Sequence, residues 1–386
     1  PLCDEEGNLV DVADARRSHR VPLLEPEMTG LELEFVVDCI ERNWISSQGE
    51  YVGRFEEQFE EMHRGTYALA VSNGTVGLHL ALHSLGIGRG DEVIVPDITF
   101  AATINAVLYC NATPVLCEIN SDTLCIDVGE AEKLITNRTK AMIPVHLYGQ
   151  PCDMDAIRDI AKKNNITVIE DCAEALGSSW RNQPVGVFGD AAVFSFFGNK
   201  TISTGEGGMV LFKSREVYEC AKILRDHGMN PNRKYWHDHI GFNYRLTNIQ
   251  AAIGVAQMAR REGIFLRKKK IAALYTKFLT GVEWISKLPP IMPETNHSSW
   301  LYTVLLDERV NRDDVITKLL MYGIESRPVF YPLHTMPPYK KFLQSNSLKN
   351  SIAAASCGLS LPSAVGMSND TISYVVECLN DVIAIQ

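Results

Sequence analysis

Between Tyr67 and Leu211 short, β-branched apolar runs alternate with helix-like stretches, and this alternation limits the fold more than any other feature of the chain. ALAV (68–71) precedes VGLHLALHSL, EVIV (92–95) precedes TFAATINAVLY, and TPVLCEI (113–119) follows. AMIPV (141–145), MDAIRDIAKK, TVIED (167–171), AAVFSF (192–197) and GMVLF (208–212) continue the series. Nearly continuous apolar strands separated by helices predict a parallel sheet covered on both faces, hence an α/β domain. Ligands of such sheets bind beyond the carboxyl ends of the strands, so the chemistry is sought in the loops there.

The pattern changes after Asn248. QAAIGVAQMARREGIFLRKKKIAALYTKFL reads as long helical sequence, with its basic run Arg267–Lys270 as a solvated face. PPIMP (289–293) interrupts it; WLYTVLL then reads as a strand, DDVITKLLMYG as a helix closed by Gly323, and a last helix starts at Asn369. These breaks divide the chain into a large domain over residues 20–264 and a smaller α+β domain over 265–386. Residues 1–19 form an extension to which the sequence assigns no role.

A net charge of −10 argues against nucleic acid and anionic membrane as partners, because both demand an excess of Lys and Arg. An anionic ligand must instead be held locally, by backbone amides and a few placed side chains. The ten cysteines contain no C-x-x-C pair, and no stretch reaches the apolar length of a membrane span. Reduced thiols and a cytoplasmic location are the expectation.

Three constellations carry possible chemistry. SNGT (72–75) follows a strand and opens a helix, where unpaired N–H groups and Gly74 suit a phosphate; Ser, Asn and Thr also suit a simple helix cap. TVIED ends on Glu170–Asp171, and because successive strand residues face opposite ways only one carboxylate can meet a given ligand. Asp171 has the strand-end position, although an acidic pair there also fits a surface or structural role. FSFFGNKTISTGEGG (194–208) sets Lys200 between aromatic residues and a glycine-rich loop. Apolar surroundings disfavour the charged amine and free some of it to attack a carbonyl, while a structural or phosphate-contacting lysine is the plainer alternative. Neither a G-x-x-x-x-G-K-[ST] nor a strand-to-helix G-x-G-x-x-G is present, and His237-x-His239 lacks a third metal ligand nearby. Taken together, a phosphate seat, a strand-end carboxylate and a lysine over one sheet match the needs of pyridoxal 5′-phosphate.

SNGTVGLHLAL, GDEVIVPDITFAATINAV, VIEDCAEALGS, GDAAVFSFFGNKTISTGEGGMV and GFNYRLTNIQAAIG closely resemble the nucleotide-sugar aminotransferases of the DegT/DnrJ/EryC/StrS family. The resemblance runs from about residue 20 to the C-terminus. It implies the aspartate-aminotransferase-like fold (fold type I) of pyridoxal-phosphate enzymes and a homodimer with shared active sites. It also implies Lys200 as the Schiff-base lysine, Asp171 at the pyridine nitrogen, Ala173 under the ring and Phe100 stacked on it. Gly74, Thr75 and Ser195 are implied as phosphate contacts, with Asn243 reaching the neighbouring subunit's phosphate. Glu174, where many members carry His or Gln, resembles the branch making 4-amino-4,6-dideoxy sugars. ESRPVFYPLHTMPPY resembles the same branch and marks Arg327, Tyr331 and His334 as candidates for the sugar-nucleotide pocket, against a plain surface Arg and two packed rings. The implied substrates are L-glutamate and a nucleotide-linked 4-keto-6-deoxyhexose. Amination at C3 and a non-catalytic ligand sensor are the alternatives; a dehydratase, which replaces the lysine by histidine, is opposed by Lys200.

Overall fold

The computed structural model describes residues 20–290, 292–343 and 348–384. The proposed extension 1–19 and Cys3 lie outside them. The first strands are β1 (Tyr67–Val71), β2 (Glu92–Pro96), β3 (Thr113–Cys117), β4 (Thr139–Met142) and β5 (Thr167–Asp171). Two short strands follow, β6 (Ser179–Trp180) and β7 (Gln183–Pro184), before β8 (Ala191–Ser195) and β9 (Gly208–Phe212). Seven of these form one sheet in the order β1-β9-β8-β5-β4-β2-β3.

β9 departs from the expected parallel sheet, pairing antiparallel with both β1 and β8. Parallel neighbours need a crossover helix, whereas residues 196–207 join β8 to β9 without one, so the chain turns back on itself. That loop carries Lys200. β4 is also shorter than AMIPV: Pro144 has no N–H for the ladder, and pairing resumes only at the bridge between Val145 and Asp171.

The burial alternates as a two-faced sheet requires. Leu69, Val71, Val193, Val210 and Phe212 join the core beneath helices Gly74–Ser84, Ala101–Tyr109 and Arg215–Arg225. Ala68, Ala70, Ala192, Phe194, Met209 and Leu211 face the opposite core, under helices Glu50–Met62 and Asn248–Ala259.

A second sheet, order β10-β12-β14-β13, is antiparallel and comprises β10 (Ile285–Lys287), β12 (Tyr302–Leu306), β13 (Arg327–Pro328) and β14 (Gly358–Leu361); β11 (Thr295–Asn296) instead pairs with β6. Helices Arg261–Leu279, Arg312–Met321 and Asn369–Ala384 supply its core. The long helical stretch thus breaks in two at Arg260. Its basic run is not wholly solvated either: Lys268 is buried, at 1% exposure. Among the described residues all cysteines are free, and most are buried as the composition suggested. None of these residues forms a helix long and apolar enough to cross a membrane.

Candidate active site

The ends of β1, β9 and β8 meet because Gly208 pairs with Val71 on one side and Ser195 on the other. A Cβ at Gly208 would stand 2.7 Å from the carbonyl carbon of Asn73 and 3.0 Å from the nitrogen of Gly74; one at Gly74 would reach within 3.1 Å of the Ser195 Cβ. Glycine is what lets these backbones close up. The Asn73 side chain accepts from Val76 N at 3.0 Å and caps the helix. The first amides of that helix, at Gly74 and Thr75, therefore sit at its positive end beside the Ser195 hydroxyl, a geometry suited to an anion. The cap reading of SNGT is therefore observed, and it leaves the helix end open to an anion.

At the end of β5 the two carboxylates divide as alternation requires, but neither is at the surface. Glu170 accepts from His146 Nε2 and the amides of Gly186, Phe188 and Gly189 at 2.7–3.0 Å. Burial pushes its carboxyl up, yet His146 and these amides hold it below the usual range. Glu170 therefore clamps a loop. It is also part of the one cluster with metal-ligand chemistry among the described residues, His146, Glu170 and Cys172, whose oxygens these donors already occupy. Asp171, 4% exposed, accepts from Thr103 Oγ1 at 2.8 Å and Ala173 N at 3.1 Å. Burial raises its proton affinity, opposed by Thr103, the Ala173 amide and the charge of Lys200.

Lys200 hangs over this floor, its side chain 13% exposed and its Nζ 3.4 Å from Glu174 Oε1. Burial lowers its proton affinity against the opposite pull of Glu174 and Asp171. The amine also lies 3.8 Å from the centre of the Trp300 ring. From Trp300 an aromatic wall continues through Tyr148 and Phe330 to Phe100, with centroids 6.2, 5.5 and 6.0 Å apart. Tyr148 has φ +54°, rare for an aromatic residue, and its N–H donates to Glu174 Oε2 at 2.9 Å.

The outer candidates are less uniform. His334 is fixed by Asp97, whose carboxylate takes its backbone N–H at 2.9 Å and contacts Nδ1 at 2.6 Å. Tyr331 is 52% exposed, and Arg327 is exposed on β13 beside Glu325, whose ion pair is with Arg20. Asn243 is exposed and its Oδ1 accepts from Arg245 Nε, while the next residue, Tyr244, takes the Ser72 N–H at 2.9 Å. His237 and His239 lie in an exposed segment, with His237 bonded to a backbone carbonyl.

The model of the DegT/DnrJ/EryC1/StrS aminotransferase family matches residues 26–380. The chain belongs to that family. It is 44% identical to the GDP-perosamine synthase of Escherichia coli O157:H7 over 94% of this chain and 98% of that one. Identity to the GDP-perosamine synthase of Caulobacter vibrioides is also 44%, over 94% and 98%. Among solved structures it resembles the PMP form of a putative sugar aminotransferase from Streptococcus pneumoniae, at a TM-score of 0.89 and 29% identity over 95% of this chain and 98% of that one.

This member of the family is thus a pyridoxal-phosphate-dependent sugar aminotransferase of the fold expected. Its residues fit the cofactor: a cradle that a Cβ at Gly74 or Gly208 would fill, a buried carboxylate with one hydroxyl partner, and a half-buried amine. Sequence reasoning missed Thr103, Tyr148 and Trp300. Thr103 had a signal, since it stands one helical turn beyond Thr99 in DITFAAT and shares a 2.9 Å hydroxyl contact with it. Tyr148 and Trp300 arrive from distant segments and had none.

Proposed function

We propose that this aminotransferase moves the amino group of L-glutamate to C4 of an NDP-4-keto-6-deoxyhexose, giving a 4-amino-4,6-dideoxy sugar nucleotide and 2-oxoglutarate. The reading is carried by the likeness, over nearly the whole chain, to two GDP-perosamine synthases. Glu174 beside Lys200 adds to it.

When bound, pyridoxal phosphate supplies an aldehyde for amines and a ring that withdraws electrons from the neighbouring carbon. In this proposal Gly74, Thr75 and Ser195 hold its phosphate, Asp171 its ring nitrogen, and Ala173 and Phe100 the two ring faces. Lys200 would hold it by its amine and would move a proton at the α-carbon of the donor and at the sugar carbon that gains the amine. Burial suits Lys200 to this, because it lowers the amine's hold on its proton. Arg327, Tyr331 and His334 face the sugar nucleotide, with Asp97 fixing the His334 ring.

We also propose a cytoplasmic homodimer in which Asn243 completes the partner's phosphate site. Exposed apolar side chains support this, among them Leu33, Val37, Ile40, Trp44 and Ile45, and Phe100 at the site itself. The domain division at residue 265 is likewise proposed, supported by the separate core that Ile271 onward builds with Val21.

The test is a panel of GDP-, dTDP- and UDP-linked 4-keto- and 3-keto-6-deoxyhexoses with glutamate, with products read by mass spectrometry. Amination of a 4-keto sugar is expected. Amination of 3-keto sugars alone would overturn the regiochemistry, and turnover of none would favour the sensor.

A further inference from the structure

Lys268, on helix Arg261–Leu279, is buried more fully than Lys200, and the chemistry above makes no use of it. Its Nζ donates to the carbonyls of Trp300 at 2.7 Å and Ser363 at 2.6 Å and to Ser363 Oγ at 3.0 Å. Ser363 Oγ is also 3.0 Å from the Trp300 carbonyl, and Ser363 N donates to Leu23 O at 2.9 Å. The Lys268 amine therefore ties two segments directly, at Trp300 just ahead of β12 and at Ser363 just beyond β14, and the segment entering the fold at Leu23 joins them through Ser363 N. No carboxylate is among its hydrogen-bond partners, and burial drives its pKa down to about 7. A charge held at such cost in a merely apolar role would be replaceable by methionine or leucine.

The far side of Trp300 explains the cost. Its indole Nε1 donates to Asn199 O at 2.7 Å, the residue before Lys200, and its ring lies under the Lys200 amine at 3.8 Å. Lys200 and Lys268 line one small cavity, walled on its third side by Leu24–Glu27. Trp300 is 3% exposed, so packing holds its ring in place beside these contacts.

We propose that Lys268 is a positioning residue for the reaction: it fixes the Trp300 carbonyl so that the indole holds both the backbone and the amine of Lys200 in register with the cofactor site. The inference rests on the reading of Lys200 as the cofactor lysine. It links the helix that begins the smaller unit to the reacting amine through a single tryptophan.

The test measures how fast pyridoxal phosphate attaches to full-length protein freed of cofactor, from the visible band, with the lysine located by borohydride reduction and peptide mapping. Lys268→Met and Trp300→Phe are each expected to slow attachment about tenfold or more, within what a misplacement of about 1 Å costs. The double variant is expected to be no slower than the slower single, because both act through one group. Attachment to Lys200 at the unsubstituted rate in Lys268→Met, even with a lowered melting temperature, would overturn the positioning role alone. Multiplying losses would overturn it too. An adduct on another lysine in the unsubstituted protein would overturn the reading of Lys200 beneath it. Should Lys268→Met not fold, Ser363→Ala takes its place, with slowed attachment expected and an unchanged rate counting against the proposal.

Discussion

The carboxylate of Glu174 stands 3.4 Å from the amine of Lys200 through one oxygen and takes the N–H of Tyr148 through the other. The acid thus couples the Lys200 amine to a strained backbone position, and its negative charge keeps the Lys200 proton on longer than burial alone would. Glu174→Gln is expected to shift the pH profile of cofactor attachment to lower pH, since the amine then loses its proton more readily. An unmoved profile would show that the contact has no electrostatic part in the reaction.

Borohydride reduction should leave the pyridoxyl group on Lys200, and Lys200→Ala should abolish turnover. Peptide mapping of the reduced protein decides the matter.

Asp171 and Glu170 adjoin in sequence and should fail differently. Asp171→Asn is expected to keep some cofactor but lose about a hundredfold or more in turnover, as when a placed charge is withdrawn from a reacting group. Glu170→Gln replaces one acceptor oxygen by a donor amide among three backbone N–H groups, so it should lower the melting temperature by several degrees. Turnover per bound cofactor should stay near that of the unsubstituted protein. Equal catalytic losses in the two variants would contradict the opposite facing of the pair.

Subunit mixing tests the shared site. Lys200→Ala and Asn243→Ala protein, exchanged together, should form heterodimers with one site intact and one lacking both groups. Activity well above either parent is expected; a monomer by light scattering at micromolar concentration would exclude the arrangement.

Arg327→Ala is expected to raise KM for the nucleotide sugar about tenfold while sparing the half-reaction with glutamate, as a lost charged contact to a diphosphate would. Its guanidinium has Glu325 nearby, but that acid is already taken by Arg20. If the arginine served only that surface acid, neither half-reaction would change.

Acid stability follows from His63, His79 and His297, each pushed by burial from 6.5 to about 4. Between these values the unfolded chain takes up protons that the folded chain refuses, so stability falls as pH drops from about 6.5 towards 4. The loss is on the order of 1 kcal/mol per pH unit for each fully buried ring. His63→Phe, between Phe59 and Phe194, should flatten the fall in melting temperature over this window; an unchanged slope would assign the acid sensitivity elsewhere.

Local apolar periodicity laid out the strands of the large sheet, and with them the strand ends and following turns at which Gly74, Asp171 and Lys200 lie. Those residues sit within or directly after strands whose apolar periodicity is local, so neighbours along the chain suffice to place them. The sequence misjudged the run Arg267–Lys270, because charge patterning cannot tell a solvated lysine from one whose acceptors are the carbonyls of Trp300 and Ser363, 32 and 95 residues away. The reversal of β9 follows from the missing crossover helix, which the glycine-rich loop already signalled, but that β8 and β9 are neighbours came only from the structure. The tertiary structure alone decided that Glu170 is a loop clamp, that Asp97 fixes His334 and that Trp300 lies under Lys200. Each is a contact between segments with no shared periodicity, made only when the chain has folded and burial has forced every polar group to find a partner.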